Sequence, residues 1–494
     1  MDYTLLTGAT GLLGRYLIKD LLLANIPVAV LVRPSRRASA QHRVENAMCY
    51  WDSVLGRSLP RPVVLEGDIT EPDLGLDARS MRWVAENCDQ MLHNAASLSF
   101  QSTGPTSEPW RSNVEGTRNV IELCRNARIR RFHHVSTAYV CGLRQGQILE
   151  SELDVGQEMS NDYERSKVQA EKMVRSADFL EQLTVFRPAI IIGDSKNSYT
   201  TTYHGFYAPL QASYTMSRTM DRNATGRVGS PARFPLSGFE TKNLVPVDWV
   251  SAVISHVVSH SEHHGKTYHL TPQHPVTARL MADVLEEEGG FYSVRLVGGG
   301  KPLTGLTEIE QLFCELISVY SSYWKDDPTF DFTNTRNAAP HLPCPHVDRE
   351  MLRRMAEFAI RVNFTSPRAK PIEATFDVSR ALEPFFDTTG AASADAGSLT
   401  HLGLRVTGHG GGDFSLWVDR DRVQSADVGL SDQCTATIEC TVDVLADLAA
   451  NRKSLEDVLA GSIVTHGTAP RQEVLARVLT SLAEANHSAE VATS

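Results

Sequence analysis

The sequence predicts an α/β protein: a Rossmann-type doubly wound parallel sheet with a small substrate or lid subdomain, followed by a small α+β domain. Three observations predict it. Short apolar runs alternate with helical patterns from Tyr3 to Pro188. A glycine-rich turn, Thr7-Gly8-Ala9-Thr10-Gly11-Leu12-Leu13-Gly14, joins the first run to the first helix. After Thr400 the order changes to alternating strands followed by helices. The 494 residues allow about three units at ~150 residues each. The patterns divide them into one unit over 1–365, whose lid part covers about 195–365, a linker over 366–375 and a second unit over 376–490.

The elements follow in order. Tyr3–Leu6 is a strand, and Leu13, Leu17, Leu21 and Leu22 share one face of the helix after the glycine turn. Pro27–Val32 (PVAVLV) is a fully buried strand, which completes a βαβ unit with a right-handed crossover. Val63–Leu65 leads to Gly67-Asp68-Ile69, and Gln90–His93 to Asn94-Ala95-Ala96. Asn113–Ala127 is a helix and Phe132–Ser136 a buried strand. Glu164–Ala177 is a helix, and Leu183–Phe186 a strand before Arg187-Pro188.

Composition excludes several classes. Lys+Arg 48 against Asp+Glu 59 leaves a formal charge of −11, the wrong sign for a general nucleic-acid binder. With 42% hydrophobic and 22% charged residues, the chain is too apolar to be disordered. No run reaches the ~18–20 apolar residues of a membrane helix; Leu21 to Val32 is broken by Asn25 and Pro27. A strand starting just after Met1 leaves no room for a signal peptide. The eight cysteines form no CxxC pair, so the expectation is a reduced, cytoplasmic protein without disulfides.

The glycine turn carries the first chemistry. Thr7, Gly8, Thr10, Gly11, Leu12, Leu13 and Gly14 are the candidate phosphate-binding set. Glycines there permit a tight turn and close approach of backbone to a pyrophosphate, and the helix amino terminus offers free N–H groups. At the end of the second strand, an acid would bind the ribose 2′-hydroxyl of NAD. This chain has Arg33, with Arg36 and Arg37 beyond it, which suit a 2′-phosphate and hence NADPH.

Tyr163 and Lys167 stand four apart at the start of a helix, on one face. An ammonium near the phenol would lower its pKa from ~10 toward a useful range. The hydroxyls of Ser136 and Thr137 end the preceding strand, where they can bond a carbonyl oxygen. Asn113, at a helix start, can orient water or backbone groups beside Lys167.

With these residues in place, the chain resembles the extended short-chain dehydrogenase/reductase family over roughly residues 1–270. The matching positions are Gly8, Gly11, Gly14, Asp68-Ile69, Asn94-Ala95-Ala96, Asn113, Ser136-Thr137, Tyr163, Lys167 and Arg187-Pro188. The resemblance implies that Asp68, Ile69, Asn94, Ala95, Ala96, Ser136 and Pro188 also contact the cofactor. It implies a catalytic set of Thr137, Tyr163, Lys167 and Asn113, with Thr137 preferred over Ser136. Cys141-Gly142 stands where many members carry an aromatic residue before the glycine, which argues against a sugar-nucleotide substrate. Finer motifs, HVSTAYVCG, YERSK and NLVPVDWV among them, resemble the thioester-reductase and fatty acyl-CoA reductase (male-sterility-type) branch. That implies NADPH-dependent reduction of a fatty acyl thioester, brought by coenzyme A or a separate carrier protein, to an aldehyde or, with a second hydride, to an alcohol. A homodimer is a further implication of the resemblance.

Asn197–Gly238 is weakly periodic and suits a substrate lid. Lys266–Leu270 is a strand, Thr277–Glu288 a helix, and Leu306–Trp324 a helix packed on the first unit. Phe330–Phe364 resembles the closing segment of fatty acyl reductases, with a helix from Asp348. His256, His260, His263, His264 and His269 straddle a helix end and a turn without metal-ligand spacing, so no metal is expected. Ser366–Pro371 is linker-like and Thr388–Ser398 small and polar.

In the second unit Leu402, Leu404 and Val406 alternate, as do Phe414, Leu416 and Val418, around a Gly410-Gly411-Gly412-Asp413 hairpin. Thr435–Thr441 and Ile463–Thr465 are strands; Val444–Ala450, Leu455–Ala460 and Arg471–Ala483 are helices. Over roughly residues 376–486 the chain resembles the sterol-carrier-protein-2 family, carried by the stretch from Phe414 to Thr468 and the closing helix, although Gly467-Thr468 replaces its usual Gly-Asp. That resemblance implies a lipid-binding domain; a dimerisation or capping domain with a dry core is the alternative. For the first unit, the alternatives are a reductase of a hydroxysteroid, ketone or sugar nucleotide, separable by the absence of thiol release, and a non-catalytic NADP-binding lipid carrier.

Overall fold

The computed structural model describes residues 2–482 apart from 37, 219–227, 230–232, 293–294, 299–302, 317, 319–322, 324, 367–373, 387–399, 420–421, 468–473 and 475–477. Arg37, most of the 366–375 linker, Thr388–Ser398 and much of the Arg471–Ala483 segment therefore lie outside the described residues.

Seven strands form the central sheet: β1 (Tyr3–Thr7), β2 (Val28–Val32), β3 (Val63–Glu66), β4 (Cys88–His93), β5 (Arg131–Val135), β6 (Gln182–Pro188) and β7 (Thr267–Leu270). Their order is β7-β6-β5-β4-β1-β2-β3, and every neighbouring pair is parallel. Parallel strands covered on both faces read as unbroken apolar runs, and all five residues of β1 and of β2 are buried. The chain leaves β3 at one edge and re-enters at β4 beside β1. The order reverses there, so a crevice opens between the carboxyl ends of β1 and β4.

Five helices, α1 (Leu12–Leu23), α2 (Ala40–Leu55), α3 (Ala78–Asn87), α4 (Gly116–Asn126) and α5 (Asp162–Arg175), accompany the crossovers. Ser39, Asp77 and Asn161 cap α2, α3 and α5 by accepting from backbone N–H groups three residues on. Helix α1 has Gly11 at this position and no side-chain cap. The helix expected from Asn113 is observed as a π-helical stretch, Arg111–Glu115, running into α4.

The lid subdomain contains α6 (Tyr207–Ser217), α8 (Ala278–Gly289), α9 (Glu308–Leu316) and α11 (Arg349–Arg361), with α7 (Val247–Ser259) and α10 (Thr333–Ala338) between them in the chain. Leu210, Val284, Leu352 and Met355 join α6, α8 and α11 in one apolar cluster. Helix α7 returns to the sheet, where Val250, Val253, Ile254 and Val257 pack with Leu13, Tyr16 and Leu17 of α1. Within the expected Leu306–Trp324 helix, Glu308–Leu316 is helical, and 317, 319–322 and 324 lie outside the described residues; Phe313 is buried, whereas Leu312 and Leu316 are about half exposed.

In the second unit, α12 (Val378–Leu382) precedes the strands β8 (Thr400–Thr407), β9 (Gly412–Asp419), β10 (Arg422–Val428), β11 (Ala436–Thr441) and β12 (Val464–Gly467). The sheet order is β10-β9-β8-β11-β12, antiparallel except for the β8–β11 pair. Helices α13 (Val442–Ala449) and α14 (Leu455–Gly461) separate β11 from β12. Strand β10 was not expected from the sequence, and its register shift against β9 explains why its alternation is weak. Leu402, Leu404, Phe414, Leu416, Ile438 and Leu445 fill a core separate from that of the first unit.

The two units touch at defined points. Trp83 Nε1 donates to the Val428 carbonyl at 2.6 Å, and Leu430 N–H donates to the Tyr3 hydroxyl at 2.8 Å. Tyr3 opens β1, so this contact lies at the amino-terminal end of the parallel sheet. Among the described residues no helix is long and apolar enough to cross a membrane.

Candidate functional site

One continuous cavity of about 700 Å³ runs along the carboxyl ends of the strands. Its first part is the glycine turn. Gly8 has φ +71°, and a Cβ there would sit 2.7 Å from the Ala95 nitrogen. A Cβ on Gly14 would sit 2.1 Å from the Gly8 carbonyl oxygen, so Gly14 allows α1 to pack against the turn. Gly11 would meet only the Gly8 oxygen, at 3.4 Å, which leaves its outer face open to the cavity. The uncapped α1 directs free N–H groups and its positive dipole end to the same place. These features fit a pyrophosphate. Gly8, Thr10, Gly11, Leu12 and Leu13 line the cavity.

Thr7 lies beneath this floor and acts as a latch. Its hydroxyl oxygen accepts from Asn94 N–H at 3.2 Å and Ala95 N–H at 3.1 Å. It therefore donates to His93 Nδ1, 2.8 Å away, and His93 Nε2–H donates to Thr117 Oγ1 at 3.0 Å. Burial takes this imidazole down to about 3, which keeps it neutral. The latch holds Asn94-Ala95-Ala96 along the cavity wall, and sequence reasoning missed the part played by His93.

At the far end Asp68, Ile69 and Arg33 line the cavity. Burial alone would raise the Asp68 carboxyl, but hydrogen bonds from Thr70 and the charges of Arg33 and Arg111 bring it below the usual range. Arg36 is exposed and does not line the cavity. The place expected for it is taken by Arg43 of α2, which lines the cavity and donates to Thr10 Oγ1 at 2.8 Å and to the Arg33 carbonyl. The sequence signal was a basic residue in the first turn of the helix after β2, ten positions beyond Arg33.

Ser136, Thr137, Tyr163 and Lys167 meet at the middle of the cavity. Asn161 caps α5 and so sets Tyr163 in its first turn, with Lys167 one turn later. Lys167 Nζ donates to the Val135 carbonyl at 2.8 Å. Burial takes the Lys167 ammonium down to about 8, and Glu171 pulls it part of the way back. Burial pushes the Tyr163 phenol up to about 12, and a hydrogen bond with Thr137 draws it down while Glu164 adds to the rise. Lys167, expected to lower the phenol, is not among the groups that set this balance. The Ser136 hydroxyl is buried without a partner. Thr137 Oγ1 accepts from Tyr139 N–H at 3.3 Å.

Asn113 takes a different position from the one expected. It is buried and outside the cavity lining. Its amide accepts from Ser97 N–H at 2.7 Å and donates to the Ser97 carbonyl at 3.1 Å and to Ser166 Oγ at 2.9 Å. It ties the segment after β4 to α5, which makes it a positioning residue. Arg187, fully buried, does the same on the other side: its guanidinium meets Glu171 at 2.6 and 3.1 Å. Pro188 follows it into the cavity wall.

The remaining part of the cavity is apolar. Phe206, Met216, Leu244, Met281, Leu285 and Phe313 form its walls, from the lid helices and the strand before α7. Lys242 reaches this part, but its ammonium is paired with Asp327 at 2.8 Å. The histidines around α7 do not form a metal site among the described residues: His256 stacks with His260 and His341, and His269 bonds the Asp331 carbonyl.

The sequence model of the male sterility protein family, an NAD-binding family, matches residues 6–254. The chain is 27% identical over 405 residues to aldehyde reductase lnaA of Aspergillus flavus, covering 75% of this chain and 37% of that protein. It thus spans little more than a third of this curated relative. The solved terminal R domain from the myxalamid PKS-NRPS biosynthetic pathway superposes with a TM-score of 0.60 at 26% identity, covering 76% of this chain and 93% of the other. The reductase (R) domain of a nonribosomal peptide synthetase from Mycobacterium tuberculosis shares the fold, with a TM-score of 0.55 at 22% identity, over 74% of this chain and 92% of the other.

Proposed function

This chain belongs to the male sterility protein family of NAD-binding extended short-chain dehydrogenase/reductases, and from that membership we propose that it reduces a hydrophobic acyl thioester with NADPH. The observation that carries the proposal is the cavity. Thr137, Tyr163 and Lys167 stand between a dinucleotide cradle and an apolar chamber, where a carbonyl carbon would lie between cofactor and acyl chain. The similarity to the myxalamid R domain supports a thioester as the electrophile.

NADPH, bound along the glycine turn and Arg43, supplies the hydride. Thr137 and Tyr163 hydroxyls donate to the oxygen on which negative charge develops. Tyr163 remains protonated at neutral pH, since its phenol is pushed up to about 12, and so is ready to give its proton to that oxygen. Lys167 holds the ribose side of the site. The apolar walls exclude water, which strengthens these hydrogen bonds. Collapse of the resulting hemithioacetal breaks the carbon–sulfur bond and releases thiol and aldehyde; a second reduction gives alcohol. The thioester is carried by coenzyme A or a separate carrier protein, and the second unit, over 376–490, acts as a lipid-binding domain.

The test is a panel of acyl-CoA and acyl-carrier thioesters with NADPH, with free thiol, aldehyde and alcohol all quantified. NADPH oxidation matched by thiol release supports the reading. Turnover of a ketone or sugar nucleotide without thiol release refutes it.

A further inference from the structure

Where the second unit meets the first, side chains with metal-ligand chemistry converge outside the cavity. His42, Glu45 and Cys49 stand three and four residues apart on α2, so they share one helical face. Opposite them is His409, in the turn between β8 and β9, flanked by Gly408 and Gly410 at φ +102° and +91°. Positive φ at both glycines projects the turn toward α2. One ligand atom from each of Glu45, Cys49 and His409 lies within 4.8 Å of the other two. Tetrahedral zinc, with bonds of ~2.0–2.3 Å, separates its ligands by ~3.3–3.8 Å. Side-chain movements of about 1 Å would bring these three to that spacing; His42, outside this group, must rotate in from the same face of α2 to complete it.

A further feature favours a cation. His409 Nδ1 is buried and has no hydrogen-bond partner, a condition that a coordinate bond would relieve. The charges around His409 oppose one another, Arg61 and His42 against Asp377 and Asp52. Arg61 meets Glu45 at 3.2 Å and Asp52 at 2.6 Å, and a carboxylate with about four lone-pair sites can accept from it and still bind a metal.

We propose that Glu45, Cys49 and His409, with His42 as the fourth ligand, form a structural zinc site that clasps the second unit to α2. Sulfur, imidazole and carboxylate together select zinc over magnesium or calcium. Four protein ligands leave no open position, which fits structure rather than catalysis. On binding, the Cys49 thiol gives its proton to solvent as the sulfur–zinc bond forms and zinc loses its water.

The test uses the full chain, stripped with a chelator and titrated with zinc chloride and, separately, cobalt chloride. One tight equivalent of zinc is expected, together with a higher melting temperature and a thiolate-to-cobalt charge-transfer band. Cys49→Ser should abolish the band. Cys49→Ser and His409→Ala should each weaken zinc binding by at least ~100-fold with NADPH binding unchanged. A wild-type cobalt spectrum without the thiolate band overturns the proposal, whatever the variants do. So does a Cys49→Ser/His409→Ala double variant that takes up zinc as tightly as the wild type, because other surface side chains would then account for the binding.

Discussion

If the cofactor is NADPH, as proposed, replacing Arg43 with Gln should turn its preference over NADH into near indifference. The argument weighs two arginines. Arg33 is 66% exposed, and its partner Asp68 lies 3.6 Å away. A solvated charge of this kind contributes ~0.2–1 kcal/mol, a factor of about 1.4–5. Arg43 is half-buried and held by Thr10 Oγ1 and the Arg33 carbonyl, so its guanidinium is already oriented. A charge-assisted hydrogen bond from such a group is worth ~1.5–3 kcal/mol, a factor of about 10–140. Arg43→Gln should therefore lower kcat/KM for NADPH by about 10- to 140-fold and leave NADH unchanged. Arg33→Gln should lower it no more than about 5-fold, and Arg36→Gln, which lies away from the cavity, should leave it unaltered. The assay is steady-state oxidation of each cofactor at saturating thioester. An unchanged NADPH/NADH ratio in Arg43→Gln, or a larger loss in Arg36→Gln, would refute the assignment of the 2′-phosphate pocket.

Three further outcomes follow. Tyr163→Phe should lower kcat by ~10²–10⁴ while NADPH still binds; fluorescence titration separates the two, and a kcat within a few-fold of wild type removes the tyrosine as proton donor. Lys167 is lowered by burial to about 8, so its charge is present below that pH and is lost as pH rises through it. Activity should fall on the alkaline side with a midpoint near 8, and Lys167→Arg should move the fall to higher pH in a stopped-flow pH profile. Because the unfolded lysine keeps its proton to ~10.5, the cost of burying this charge shrinks as pH rises from about 8 toward that value. Arg187→Met leaves the buried Glu171 with the partly exposed Arg175 as its remaining partner, which should cost up to ~3–5 kcal/mol of stability, readable by urea unfolding.

Much of this site could be read along the chain because parallel α/β folds encode it locally. The turn from Gly8 to Gly14 lies within one strand–helix unit, and Tyr163 and Lys167 lie within two turns of α5. Apolar runs with no alternation identified the buried strands. What escaped notice depends on tertiary partners. Arg43 looks like any surface residue of an amphipathic helix until α2 is laid over the cradle. Asn113 sits in a π-helical stretch that turns its amide toward Ser97 and Ser166, and no spacing rule predicts that turn. Strand β10 was hidden by its register shift against β9. The phenol of Tyr163 was expected to be lowered by a neighbouring cation, but its value is set mainly by burial, which depends on the packing of Phe100 at 5.9 Å and of the lid.

The position of the second unit bears on how a hydrophobic substrate reaches the site. Its contacts include Tyr3 and Trp83 at the amino-terminal end of the sheet and, through His409, the face of α2 that carries Glu45 and Cys49. Among the described residues it does not line the cavity. The apolar walls near Tyr163 come instead from α6, α8 and α9, so on the proposed thioester reading acyl-chain selection would belong to these helices of the first unit. On the proposed reading of the second unit as a lipid-binding domain, a lipid it carries must be released before it can enter the cavity. Its effect would then be to raise the local concentration of substrate, which alters KM at low substrate and leaves kcat at saturation alone.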